Sequence, residues 1–356
     1  MERFGFVEWP FANVPTPERG ATLWADRANA REQMDAIQHD WRITRASTIN
    51  LLWADLGAGK THTLYQIADL CSQTDYLLPS YVLLPTAIRT FVELYRAIAR
   101  DLNWALVAGA LSPEANTWMV RNLRQALRWR LNDVDASRRN LAERWLHAER
   151  LRARDCEMIG VTGPITTVDD AVEALTHIVQ AIAGPNQRMV LMIDEYQRVA
   201  EGSRRQLQEI GHGIHTLFNA CPSGLGLILS CATGMATDYA AVLTPEIVSR
   251  LSQKRIDLPY LSAGDIVDYV RDLFAHYRTG SEVEPFFPLT AESTARFADY
   301  LVMTLNGVVT PRRVNEAFHE LLSDADRQGI AAPIERDAVA EWIDTHGAQL
   351  AQTLAS

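Results

Sequence analysis

The feature that most constrains this chain is a largely apolar run at residues 48–53 that ends in Ala54-Asp55-Leu56-Gly57-Ala58-Gly59-Lys60-Thr61. An amphipathic stretch follows at once, with Leu64, Ile67, Ala68 and Cys71 on one side. Strand, glycine turn and helix in immediate succession form a cradle, because turn amides point inward and the helix adds its positive end, so the product is an anion site. The residues match the phosphate-loop pattern GxxxxGK[ST] at every fixed position except the first, where Ala54 stands for glycine and its Cβ restricts the loop entry. Lys60 is one of only two lysines beside 32 arginines, a bias expected of a GC-rich genome, so its place in the loop is informative. In this pattern the lysine reaches the β and γ phosphates and the hydroxyl ligates magnesium. Gly57, Ala58, Gly59, Lys60, Thr61 and His62 are therefore candidate ATP-binding residues, and Thr61 is a candidate Mg2+ ligand.

A second constellation is Met189-Val190-Leu191-Met192-Ile193-Asp194-Glu195, a continuous apolar run closed by two acids. Neighbours at a strand end point in different directions, so Asp194 can face a magnesium ion while Glu195 polarises an attacking water. A strand ending in two acids is common at sheet edges. Its meaning comes from the phosphate loop upstream, and together the two point to ATP hydrolysis.

Between and beyond these sites the pattern alternates. Short apolar runs at 48–53, 81–84, 189–193, 226–229 and 255–258 read as strands separated by helical segments, which predicts an α/β fold with a parallel, three-layer sheet. Residues 113–154 are helical and Arg-rich, with Trp118, Leu123, Leu127, Leu131, Leu141 and Trp145 marking apolar sides. After residue 259 the pattern is helical only (263–277, 291–305, 311–324 and 336–350), the expectation being an all-α lid domain. The expected division is an N-terminal segment (1–45), a nucleotide domain (46–259) with the Arg-rich part as an insertion, and a helical domain (260–356).

Composition narrows the function. At 356 residues and 47% hydrophobic the chain can bury a substantial core. No apolar run is long enough to span a membrane and the first residues lack an export pattern, so the expectation is a cytoplasmic protein without membrane partners. Cys71, Cys156, Cys221 and Cys231 are scattered without a CxxC pair, which argues against a zinc ribbon or a disulfide framework. The net charge of −10 disfavours a general affinity for nucleic acid, yet residues 121–155 hold ten arginines against five acids. Either this stretch meets DNA phosphates, or it is an exposed helical face laced with i,i+4 pairs.

The order of phosphate loop, acidic strand end, later strands and helical C-terminal part resembles that of the AAA+ ATPases. Within them the chain resembles the ExeA branch and the related transposition ATPases of the TnsC, TniB and MuB type. The likeness rests on Phe4-Gly5 and Pro10-Phe11, on Asp194-Glu195-Tyr196-Gln197, and on Pro311-Arg312-Arg313-Val314-Asn315. It implies that Arg312 is a sensor arginine reaching the γ-phosphate. It implies also that Arg250, after Ser249, enters a neighbouring subunit's site as an arginine finger, with Lys254 and Arg255 as alternatives. The polar sensor on the fourth strand departs from the family, where Asn or Gln is frequent, and Ser230 or Thr233 takes its place. Pro10-Phe11 and Arg27 resemble the stretch that covers the adenine, although an aromatic beside proline equally reads as packing.

Two functions follow from the resemblance. One is a nucleotide-switched oligomer, a ring or filament on double-stranded DNA, acting with a transposase, nuclease or other operon-encoded partner. The other is an ATPase that recruits or remodels a protein without touching nucleic acid, which the overall acidity favours. An origin-recognition-like initiator is disfavoured by length, since few residues remain after the last helix for a winged-helix domain.

Overall fold

The computed structural model describes residues 2–11, 28–86, 88–112, 114–131, 135–184, 187–232, 239–278 and 284–355. Its five strands are β1 (Thr48–Ala54), β2 (Leu77–Leu83), β3 (Arg188–Asp194), β4 (Leu225–Ala232) and β5 (Ile256–Asp257). They form one parallel sheet in the order β2-β3-β4-β1-β5. The strand ending in the two acids thus lies two places from the strand that feeds the phosphate loop, with β4 between them. Parallel strands need long crossovers, and these are helical. They are α1 (Ala28–Ile43) before the sheet, α2 (Lys60–Ser72), α3 (Phe91–Asp101), α4 (Trp104–Ala110), α5 (Trp118–Arg130), α6 (Ala136–Leu146), α7 (Ala153–Ile159), α8 (Val168–Ile182), α9 (Arg204–Ala220) and α10 (Pro245–Val248). Beyond the sheet come α11 (Ala263–His276), α12 (Ala291–Thr304), α13 (Pro311–Arg327) and α14 (Arg336–Ala355).

Helix starts are specified locally. Thr90 with Glu93, Thr167 with Asp170, Ser203 with Gln206 and Ser262 with Asp265 each satisfy two orphan amides reciprocally as capping boxes. Every residue of β3 and β4 is buried, as expected of central strands covered on both faces. Strand β2 begins at Leu77, four residues ahead of the expected start, because Pro79 and Ser80 break the apolar run. An edge strand tolerates that proline, since one side of its ladder needs no partner.

The chain divides into two compact units, neither continuous in sequence: Met1–Arg31, Ala54–Gln66 and Asp257–Ser356 in one, Glu32–Trp53 and Ile67–Ile256 in the other. The larger holds a core built on Phe91, Tyr95, Ile98, Leu123, Leu127, Trp145, Leu175 and the inward residues of β3 and β4. The Arg-rich helices α5 and α6 belong to it: Trp145 is buried with its indole donating to the Gly163 carbonyl (2.7 Å), and Tyr95 donates to the Leu146 carbonyl (2.9 Å). A buried arginine secures the sheet's entry. Arg188 donates to the carbonyls of Thr44, Ala46 and Leu225 at 2.9–3.0 Å, and burial lowers its pKa to about 10.

The smaller unit's core gathers Phe274, Phe297, Phe318, Leu321 and Trp342 with the N-terminal Phe4, Phe6 and Phe11. Phe11 is 2% exposed and stacks on Phe318 (centroids 5.6 Å apart), so its role is the packing one; Arg27 lies outside the described residues. The four cysteines are buried free thiols. Among the described residues no helix is long and apolar enough to cross a membrane.

Candidate functional site

In the smaller unit, Ala54 ends β1 and Lys60 opens α2, leaving five residues to turn the chain. Gly57 (φ +76°) and Gly59 (φ +94°) take conformations that only glycine adopts without strain. Lys60 is 6% exposed, and its ammonium donates to the carbonyls of Asp55 (2.9 Å) and Ala54 (3.4 Å). A buried cation is tolerable only when hydrogen-bonded, and here the strand end supplies the acceptors. Asp55 organises the turn. Its carbonyl accepts from Ala58 N (3.3 Å) as well as Lys60, and its carboxylate accepts from Leu56 N (2.7 Å) and from the Tyr260 hydroxyl (2.6 Å). That last bond holds the Tyr260 proton and raises its pKa.

The same loop meets the start of α13. Thr310 caps this helix by accepting from Arg313 N, Pro311 occupies its first turn, and Arg312 N donates to the Gly57 carbonyl (3.3 Å). A Cβ at Gly57 would lie 3.0 Å from Arg312 Cβ and 3.1 Å from Thr310 Oγ1. At Gly59 an added Cβ would have nothing within 4 Å. Arg312 is itself exposed. The donor set therefore fits a polyphosphate: a buried ammonium, glycines that leave the cradle open, and the N-terminal end of a 13-residue helix beginning Lys60-Thr61-His62.

In the larger unit, Asp194 is wholly buried at the end of β3. One carboxylate oxygen accepts from the Ser230 hydroxyl (2.8 Å) and from Glu195 N (2.9 Å), the other from the Tyr81 hydroxyl (3.1 Å). A buried carboxyl group left without such donors would cost about 1–3 kcal/mol, and three donors satisfy this one. Glu195 does not continue the strand. It takes the left-handed conformation (φ 59°, ψ 36°), at a cost on the order of 1–2 kcal/mol for a non-glycine residue, and opens the short turn Tyr196–Val199. The divergence of the two acids thus comes from this turn and not from strand alternation. Glu195 Oε2 accepts from Gln197 (3.0 Å) and pairs with Arg198 (3.3 Å). Gln197 in turn accepts from Ala232 N at the end of β4 (2.9 Å), and Arg198 also donates to the Leu84 carbonyl. Of the two polar-sensor candidates, Ser230 touches Asp194, while Thr233 lies outside the described residues.

The three candidate trans-acting cations separate. Lys254 is held by Asp40 (2.7 Å) and the Ala36 carbonyl (3.2 Å), and Arg255 is exposed but engaged. Arg250 is exposed just beyond α10 and, among the described residues, its side chain makes no ion pair or hydrogen bond. Most of the arginines at 121–155 are tied locally. Arg121 and Arg124 donate to the carbonyls of Asn116 and Ser112, Arg130 pairs with Glu143 (3.7 Å), Arg138 lies over Trp129 (4.5 Å), and Arg144 pairs with Glu149 (3.3 Å). Arg128, Arg150, Arg152 and Arg154 stand at exposed positions. Sequence reading misses Tyr81, Tyr260 and Arg198 as supports of these groups, and no local pattern marks them.

No family model and no curated protein sequence matches the chain. Among solved structures it is similar to the Aeropyrum pernix ORC2 protein, described in ADPNP–ADP complexes, at 14% identity and TM-score 0.55, covering 95% of this chain and 72% of that one. It is similar also to Cdc6p from Pyrobaculum aerophilum (14% identity, TM-score 0.50, 90% of this chain and 66% of that one). A third is the Aeropyrum pernix ORC1 protein in complex with DNA (13%, TM-score 0.50, 90% of this chain and 64% of that one). At these identities the likeness is one of fold: the P-loop AAA+ three-layer parallel sheet with a C-terminal all-α domain.

Proposed function

We propose that this chain, on its AAA+ fold, binds ATP with Mg2+, hydrolyses it, and uses the nucleotide to switch an oligomer acting on double-stranded DNA. The observation that carries the reading is the buried Lys60 at the head of α2, reached through two glycines at positive φ. When bound, Mg-ATP supplies a γ-phosphoryl group for transfer to water. The amides around Gly57, Ala58 and Gly59 would hold phosphate oxygens, Lys60 would give up its carbonyl partners to reach them, and His62 lies in the first turn that follows. Thr61 and Asp194 are oxygen donors suited to a hard cation that keeps most of its shell for phosphates and water. Glu195 would take the proton of the attacking water, and Ser230, which donates to Asp194, would orient it. Arg312 is assigned to the γ-phosphate in the same chain and Arg250 to the site of a neighbouring copy, where an arginine stabilises charge on the transferring group.

DNA is favoured as the partner by the ORC1 neighbour, which was solved in complex with DNA, and by the exposed arginines Arg128, Arg150, Arg152 and Arg154. A protein-directed switch is the second reading, favoured by how many arginines of this stretch are engaged by local partners. Particle size with and without an ATP analogue and duplex DNA decides between them. We expect growth with both ligands, loss of that growth in Arg250→Ala, and a salt slope shallower by about one for each phosphate-contacting arginine removed. A particle that stays monomeric under all conditions contradicts the assignment of Arg250, and absence of salt-dependent DNA retention selects the second reading. Substituting Glu195→Gln leaves ATP bound and lowers turnover by about 100-fold or more, as loss of a general base does; undiminished turnover would refute its assignment.

A further inference from the structure

We propose that Tyr260 and Asp55 are a positioning pair for the phosphate loop, and that Tyr260 governs nucleotide affinity by keeping the Asp55 carboxylate away from Lys60. The proposal deepens the ATP reading above and rests on it. Asp55 sits where a free carboxylate would do harm. It is a negative charge inside an anion-binding loop, five residues before the ammonium that the phosphates need. Both of its oxygens are occupied, one by Leu56 N (2.7 Å) and the other by the Tyr260 hydroxyl (2.6 Å). With the side chain held this way, it is the Asp55 carbonyl and not the carboxylate that faces Lys60. Tyr260 comes from the segment between β5 and α11, so the phenol reports to the loop from the helical part of the same unit, beside the Gly57–Arg312 contact.

Remove the hydroxyl and one carboxylate oxygen loses its donor. Freed, the carboxylate can turn to the amides of its own loop or to Lys60, the groups a polyphosphate uses, and it then competes with the ligand as an internal anion. Losing one charge-assisted hydrogen bond that is partly exposed to water corresponds to a loss in affinity of about tenfold. Because the phenol acts only through Asp55, its removal has no consequence once the carboxylate is gone.

The test is a double-mutant cycle on the full chain, with a fluorescent ATP analogue titrated into wild type, Tyr260→Phe, Asp55→Asn and the double variant. We expect Tyr260→Phe to raise Kd about tenfold and KM likewise, with kcat within about twofold. In the Asp55→Asn background the same substitution changes Kd by less than about twofold. Adenosine, which carries no phosphate, binds wild type and Tyr260→Phe alike. Tyr260 is 36% exposed, so deleting its oxygen leaves the packing in place. Equal affinity of Tyr260→Phe and wild type for the ATP analogue overturns the proposal, as does an equal loss in both backgrounds or an equal loss for adenosine. A wild-type chain that binds no ATP analogue overturns the ATP reading with it, whereas tight binding by wild type with a flat cycle overturns this proposal alone.

Discussion

The two loop glycines make a prediction in which one substitution type has two separable costs. Alanine at either position must hold a positive φ, +76° at Gly57 and +94° at Gly59, which costs on the order of 1–2 kcal/mol. Only at Gly57 does the new methyl meet the fold. It would lie 3.0 Å from Arg312 Cβ and 3.1 Å from Thr310 Oγ1, and overpacking of that kind adds ~1–3 kcal/mol. Gly57→Ala should therefore cost ~2–5 kcal/mol against ~1–2 for Gly59→Ala, a gap of several degrees in melting temperature at roughly 2–4 °C per kcal/mol. Ligand affinity runs the other way per unit of stability lost. The methyl of Gly59→Ala projects into open space that the proposed site gives to phosphate, so this nearly stable variant should lose ATP affinity by more than about tenfold. Thermal melts of the apo proteins and ATP titrations measure both. If Gly59→Ala melts as low as Gly57→Ala, the packing argument fails. If it binds ATP like wild type, the open space above Gly59 is not the phosphate cradle.

Two further predictions concern the larger unit. Burial raises the thiol pKa of Cys71 to about 12 and of Cys221 to about 11, so neither should react with Ellman's reagent at pH 8 until the chain is unfolded, when all four thiols titrate; rapid labelling of the native protein contradicts this burial. Burial also raises the carboxyl pKa of Asp101, partly offset by the Ser80 hydroxyl and the Tyr81 backbone. The fold then favours the protonated form: the penalty is absent below the ordinary carboxylate pKa and complete once pH exceeds the raised value. Asp101→Asn should accordingly raise the melting temperature at pH 7 and leave it unchanged near pH 3, and the opposite ordering would show that the charged form is the one the fold stabilises.

What can be read from the residues and what cannot divides along chain separation. The phosphate loop and the acid pair each lie within one short stretch, where the chemistry demands fixed residue types at fixed spacing, and so they are visible as patterns. The parallel sheet follows from the same cause, since β3 and β4 are buried on both faces and write themselves as unbroken apolar runs. The start of β2 is misplaced by sequence reading because propensity speaks against Pro79, and only the strand's position at the sheet edge, a property of the whole topology, explains why it is allowed.

The supports of the site are of another kind. Tyr81 reaches Asp194 across 113 positions of sequence, and Tyr260 reaches Asp55 across 205. No short window of residues contains both partners, and a tyrosine or arginine has too many uses for its type alone to name one. Glu195 shows why this matters for chemistry. Its identity is legible, but its direction is set by a left-handed turn held by Gln197 and Arg198, with Gln197 itself anchored on the end of β4. A general base acts only if its carboxylate is free to take a proton. In this geometry one of its oxygens is engaged by an amide and a guanidinium. Among the described residues the other oxygen, Oε1, carries no such bond and is the atom left to take a proton, so the direction of the acid belongs to the turn Tyr196–Val199 as much as to the pattern that reveals it.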